Sequence, residues 1–437
     1  MNRRTNIPRI ALRSALRAGS VVGCLTALLH CAASKTDYVP KEIDPNTPGQ
    51  EVDRDASVGA DAGGVGEPDA APAKPTSCKK LGPEIAVTQG AGVETFTMHW
   101  DVDHYVFVYG DKGSGNSDLT VLFADENGKV TSGPTRVDAT DTPSRLPNLV
   151  RTATDYVVVW EEGSTPRTIR ARRINLAGQP TGNVAEVATS NAVETRPVLT
   201  WGRKKLVATW MDTRADVPAA FFAELDGALA HGAPTRLGDG VSPVDFPWTA
   251  GDDTNLAVIW SDRRTESKNL RFATLSDSLA AENDHELRNT AGDAVLGRLI
   301  RTGFGYIAAW EDTRSGDTNE IRMALTDPLG NRVADGLVEE PGTGDANWPN
   351  MAWNGSATAI AYYQFRNGAP QIFVTFVDAM GLRVANKGDL QVSATPSGRS
   401  ARYPDIQWNG STFGVAWIDS RDSGTQIYFA KIECLTP

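Results

Sequence analysis

Seven aromatic residues, Tyr109, Trp160, Trp210, Trp260, Trp310, Tyr362 and Trp417, each close a short apolar run, at spacings of 51, 50, 50, 50, 52 and 55 residues. A period this regular limits the chain to an array of like units of about fifty residues. The second unit shows the contents: "PNLVRTA" from Pro147, "DYVVVWEE" from Asp155, "TIRARRIN" from Thr168 and "AEVAT" from Ala185. All four read as strands. The second is apolar at consecutive positions, as a strand packed on both faces would be. Asn-Gly in "WNGS" at 353–356 and 408–411 marks a hairpin between first and second strands. "LAGQ", "PLGN" and "AMGL" mark the turn from third to fourth.

Four strands every fifty residues, repeated radially, predict an all-β chain: a seven-bladed β-propeller of four-stranded antiparallel blades over residues 78–437. The last unit has three strands, "YPDIQW", "FGVAWID" and "QIYFAKIEC", and then stops. "GPEIAVT" from Gly82 resembles the fourth strands "AEVAT" and "LQVSAT", so residues 83–88 are expected to complete blade seven as its outer strand. Third and fourth strands run antiparallel, which sets Cys434 beside Cys78. A disulfide between them would close nearly the whole ring; the alternative is two free thiols.

Ahead of the array, Arg3, Arg4, Arg9, Arg13 and Arg17 precede an apolar stretch from Ala18 to His30. That stretch is too short to span a bilayer and right for the h-region of an export signal over residues 1–30. Lipidation at Cys31 is the preferred outcome. Cys24, plain secretion after Ala33 and an uncleaved anchor stay open. Residues 31–77, with "DRDASVGADAGGVGEPDAAPAKPTS", lack hydrophobic periodicity and read as a disordered acidic tether. The formal charge is −11, and removal of the five signal arginines takes it to −16. Such a body repels phosphate backbones, so nucleic acid is not an expected partner.

After the anchors stand Trp210-x-Asp212-x-Arg214, Trp260-x-Asp262-x-Arg264, Trp310-x-Asp312-x-Arg314 and Trp417-x-Asp419-x-Arg421. The Asp can accept turn amides and the Arg can pair with it or stack on an aromatic ring. A catalytic constellation occurs once; this one occurs four times. It reads as a hairpin staple. The five His are dispersed without ligand spacing. "DKGSGNSD" at 111–118 has oxygen ligands for a structural Ca²⁺ but not the EF-hand order, and no other cofactor is expected.

The pattern V-x-W-x-D-x-R resembles the propeller repeat of secreted and lipid-anchored bacterial surface proteins, distantly similar to sialidase-type and TolB-type propellers. The resemblance implies the fold over residues 82–434, and an exported, cell-surface or otherwise periplasmic or secreted location. A sialidase would carry S-x-D-x-G-x-T-W boxes. "SRDSGTQIY" from Ser420 copies only the first half, at a different hairpin, and no Arg triad can be assigned.

A blade-specific row precedes proline at the start of the first strands: Leu146, Arg196, Phe246, Trp348 and Tyr403. Proline should hold the preceding residue extended, presenting it beside the channel. With the flanking Arg145, Trp248 and Arg402, the row is the expected ligand surface, unless it plugs the channel as packing. The preferred functional expectation is a membrane-tethered module binding protein or glycan there, without catalysis. The alternative is a polysaccharide-active enzyme using Asp245, Asp345 or Asp405 as acid and base. A purely structural envelope protein would have no blade-specific pocket.

Overall fold

The computed structural model describes residues 75–435, apart from the loop positions 91, 114–116, 139, 165, 189–193, 214–216, 289, 317, 342–343, 367, 385–387 and 423. The signal, Cys24, Cys31 and nearly all of the tether lie outside the described residues. Seven four-stranded antiparallel sheets form the blades of a β-propeller. Their first strands are Val93–Asp101, Ser144–Arg151, Glu194–Gly202, Val244–Gly251, Ala294–Arg301, Ala346–Trp353 and Ala401–Trp408. Each packs against its neighbours on both sides, the last meeting the first, so the sheets close into a ring. Outer strands shrink to two residues in the third and sixth blades, Thr235–Arg236 and Leu390–Gln391.

The anchor indoles Trp160, Trp210, Trp260, Trp310 and Trp417 are 0–2% exposed. They fill the space between sheets: Trp210 of the third blade packs with Val157 and Val159 of the second. Truncating one to Ala would cost about 3–5 kcal/mol.

The seventh sheet takes its outer strand from Ser77–Ala86, paired antiparallel with Gln426–Leu435. The strand begins earlier than the expected 83–88 and ends sooner. Its register breaks between Leu81 and Ile85, where Gly82 is left-handed and Pro83 has no amide to donate. Cys78 faces Cys434 across this pair, and the two are joined by a disulfide.

Candidate functional site

The upper mouth of the channel is built by a repeated backbone irregularity. In all seven blades the first strand carries a bulge near its start, between Val93 and Thr95 in the first and, in the other six, between Arg145 and Asn148, Thr195 and Val198, Asp245 and Trp248, Val295 and Arg298, Asn347 and Asn350, and Arg402 and Asp405. The bulged residues Leu146, Arg196, Phe246, Leu296, Trp348 and Tyr403 all have φ between 50° and 58°. The expectation that proline holds them extended is therefore corrected. A bulge needs one residue turned out of the ladder, and that demand overrides the pre-proline preference. Leu296 escaped the sequence-derived row because Gly297, not proline, follows it.

The row packs more than it protrudes. Leu146, Phe246, Leu296 and Trp348 are buried in one apolar cluster, with Tyr403 half-buried against it. Trp348 and Tyr403 meet edge-to-face at 5.1 Å, and Tyr363 joins Tyr403 at 5.8 Å. The Arg196 guanidinium lies 4.2 Å from the Phe246 ring centre. Arg298 sits at the same distance over Trp248. Arg402 lies over Tyr363 and Phe365, and Arg145 is half-buried opposite Glu161.

Beneath the row lie residues that immediately follow the anchor aromatics, and two of them are buried acids. Glu161 accepts from Thr195 and pairs with Arg167 at 3.0 Å; burial raises its pKa against the pull of Arg167. Glu311 is held by two amides instead. Its Oε1 accepts the Trp348 amide at 2.7 Å and its Oε2 accepts the Asn319 side-chain amide at 3.1 Å. Burial pushes the carboxyl up to about 8, and the nearby Asp345 charge acts the same way, against the Trp348 amide and Arg298. The main-chain N–H of Asn319 donates to Asp345 Oδ1 at 2.9 Å. One residue thus bridges a carboxyl held protonated at neutral pH and a half-exposed second carboxylate.

The other acids proposed from sequence are placed differently. Asp245 pairs with Lys268 at 2.6 Å. Asp405 is fully buried and accepts the Met98 amide of the neighbouring blade at 2.8 Å, tying first strands together.

The staple residues stand at the turn after the second strand. Asp312 accepts the Trp310 indole N–H at 2.8 Å, the Arg314 amide at 2.9 Å and the Arg314 guanidinium at 2.8 and 3.0 Å. Asp419 does the same for Trp417 and Arg421, and Asp262 for Trp260 and Arg264. Asp212 is buried at the matching place, while Arg214 lies outside the described residues. Between blades, Arg288 reaches Asp312 with two bonds of 3.1 Å while almost wholly enclosed. In the suggested Ca²⁺ loop, Asp111 accepts the amides of Gly92 and Gly113, and positions 114–116 are outside the described residues.

The opposite mouth opens as a cavity of about 910 Å³ at the far ends of the first strands. Trp100, Trp353 and Trp408 line it, with Arg151, Asp252 and Arg301 across from them. These indoles are half-buried, unlike the anchor set. Trp201, the fourth Trp at this position, is not in the cavity wall; its indole N–H bonds Asp253 at 3.1 Å.

No protein-family model matches the chain, nor does any curated protein compared with it. Solved structures do. An endo-arabinase from Bacteroides thetaiotaomicron is similar over 57% of this chain and 93% of its own, at 11% identity and a TM-score of 0.34. A sialidase from Trypanosoma rangeli covers 71% of this chain and 57% of its own, at 12% identity and 0.41. A neuraminidase-like protein of a bat influenza virus covers 83% and 97%, at 9% identity and 0.44. The likeness is one of fold.

The expectation of a binding or scaffolding module, and with it the leaning against an enzyme, is corrected here. Solved structures that share this chain's fold are named as an arabinase and a sialidase, which is said of those proteins alone. No single acid pair stood out in the sequence, because only the repeated staple was visible as a cluster. Glu311, Asn319 and Asp345 come from three separate segments and meet only in the folded ring. The one sequence signal was blade-to-blade variation after the anchor: Gly110, Glu161, Met211, Ser261, Glu311, Tyr363 and Ile418.

Proposed function

We propose that the protein cleaves polysaccharide at the upper mouth of the channel, with Glu311 as general acid and Asp345 as general base. One observation carries the reading: a buried carboxyl whose pKa of about 8 keeps its proton at neutral pH, bridged through Asn319 to a second carboxylate. Glycoside hydrolysis asks for such a pair, one acid that is protonated and one that is not. Glu311 gives its proton to the departing glycosidic oxygen as the bond to the anomeric carbon breaks. Asp345 takes a proton from the water whose oxygen bonds to that carbon. Half-buried Tyr403 and Arg402 both lie 5.8 Å from the Tyr363 ring centre and would supply a ring platform and hydrogen-bond donors for sugar.

The test is release of reducing ends from a panel of plant and bacterial polysaccharides. Wild type should hydrolyse at least one, and Glu311→Gln or Asp345→Asn should lower its rate by about 10²-fold or more. Equal rates in wild type and Glu311→Gln would end the reading.

The setting we infer is the cell envelope of a bacterium, with residues 1–30 as an export signal, lipidation at Cys31, and the acidic tether carrying the propeller. The basic-then-apolar N-terminus supports this, as does the Cys78–Cys434 disulfide, which belongs to an oxidising compartment. Mass spectrometry of the mature N-terminus should find a diacylglyceryl group on Cys31. An unmodified N-terminus after Ala33 would replace anchoring with secretion.

A further inference from the structure

We propose that the funnel at the mouth opposite Glu311 is a second site, holding a segment of neutral oligosaccharide. It goes beyond the catalytic reading and stands without it. The cavity of about 910 Å³ is within the ~300–1,000 Å³ range of small-ligand sites. Its wall is two-sided. The indoles of Trp353, Trp408 and Trp100 come from the sixth, seventh and first blades, which are consecutive around the ring, so they form one continuous aromatic side. Each packs against its own blade: Trp100 meets Tyr105 edge-on at 4.6 Å, Trp408 meets Phe413 at 4.7 Å, and Trp353 lies against the apolar cluster that holds Met351 and Ile360. That support fixes the rings without a ligand.

Ion pairs stand around the remaining wall. Arg151 of the second blade donates to Asp101 at 2.8 Å, and Arg301 of the fifth pairs with Asp252 of the fourth at 2.9 Å. Tyr156 donates to the same Asp101 oxygen at 2.5 Å, and burial and Asp101 together raise the phenol's pKa. Rigid planar donors and acceptors opposite an aromatic side suit a sugar ring, which offers C–H faces to indole and hydroxyls to its edge. Both guanidiniums already have carboxylate partners and the chain is acidic overall, which disfavours an anionic glycan. At the rim, Val102 and Phe304 are 63% and 62% exposed, extending apolar contact for a chain that leaves the funnel.

The experiment uses full-length Glu311→Gln, so that a substrate is not consumed, titrated by calorimetry with cellohexaose, maltohexaose, arabinohexaose and hexagalacturonate. At least one neutral hexasaccharide should bind, with a change in tryptophan fluorescence, at least tenfold more tightly than hexagalacturonate. Adding Gly303→Trp should weaken that binding at least tenfold at unchanged Tm, because the space beyond Gly303 is open and no backbone need move. Trp353→Ala should do the same; if it fails to fold, Gly303→Trp decides. No binding by any neutral hexasaccharide, binding untouched by Gly303→Trp, or equal binding of hexagalacturonate would each overturn the proposal. None of these readouts depends on hydrolysis, so a protein without detectable activity is tested equally.

Discussion

Replacing Glu311 by Gln should flatten the pH dependence of stability in a calculable way. In the unfolded chain the carboxyl titrates near 4.5; in the fold it titrates near 8. The folded state therefore holds an extra proton between those values, and its stabilisation, complete below pH 4.5, is lost as pH rises through 8. That separation corresponds to about 5 kcal/mol, at ~1.36 kcal/mol for each pH unit. For a fold of this size, ~2.1 cal/mol/K per residue makes about 5 kcal/mol equal to about 6 °C in Tm. Glu161 and Glu339, also raised by burial, act in the same direction but are common to both proteins. The assay is Tm from pH 5 to 9 for wild type and Glu311→Gln. Over that range the difference, variant minus wild type, should grow by about 5 °C toward alkaline pH, the remainder falling below pH 5. A difference that stays constant would mean Glu311 ionises normally, and the catalytic argument would lose its acid.

Three further outcomes follow from the packing. Cys434→Ser removes a link spanning 356 residues, worth at most about 6 kcal/mol by the chain-entropy model; calorimetry should show a lower Tm, and no change would mean the strand pairing alone holds the ring. Arg288→Met strips a buried guanidinium from Asp312, Asn269 and the carbonyls of Ala291 and Gly292, and should cost about 3–5 kcal/mol in denaturant melts. Gly305→Ala would put a methyl 1.9 Å from the Thr326 carbonyl oxygen, so its hairpin must shift and Tm must fall; an unchanged Tm would refute the packing described there.

The architecture was legible because periodicity is written in the chain itself. Anchors fifty residues apart dictate like units, and a last unit short of one strand points to a donor elsewhere, with Cys78 and Cys434 at the two ends. The site was far less legible. Glu311 sits inside the staple motif "WEDTR", where one position separates a repeated structural Asp from a buried acid that only one other blade, at Glu161, shares. Burial and the approach of Asn319 and Asp345 are products of ring closure, which no local pattern contains. The two Trp sets look alike in sequence, yet those ending second strands are enclosed between sheets and three of those ending first strands face a cavity. Proline drew attention to the bulged row but misstated its backbone, because strand pairing decided φ.

The pH profile of kcat/KM on whichever polysaccharide is cleaved addresses the acid assigned to Glu311 most directly, since it reports the free enzyme's ionisations. Activity should fall as pH rises through about 8, where Glu311 gives up its proton, and Glu311→Gln should be inactive across the range. Activity that persists in Glu311→Gln, or that climbs through pH 8 in wild type, would contradict the account.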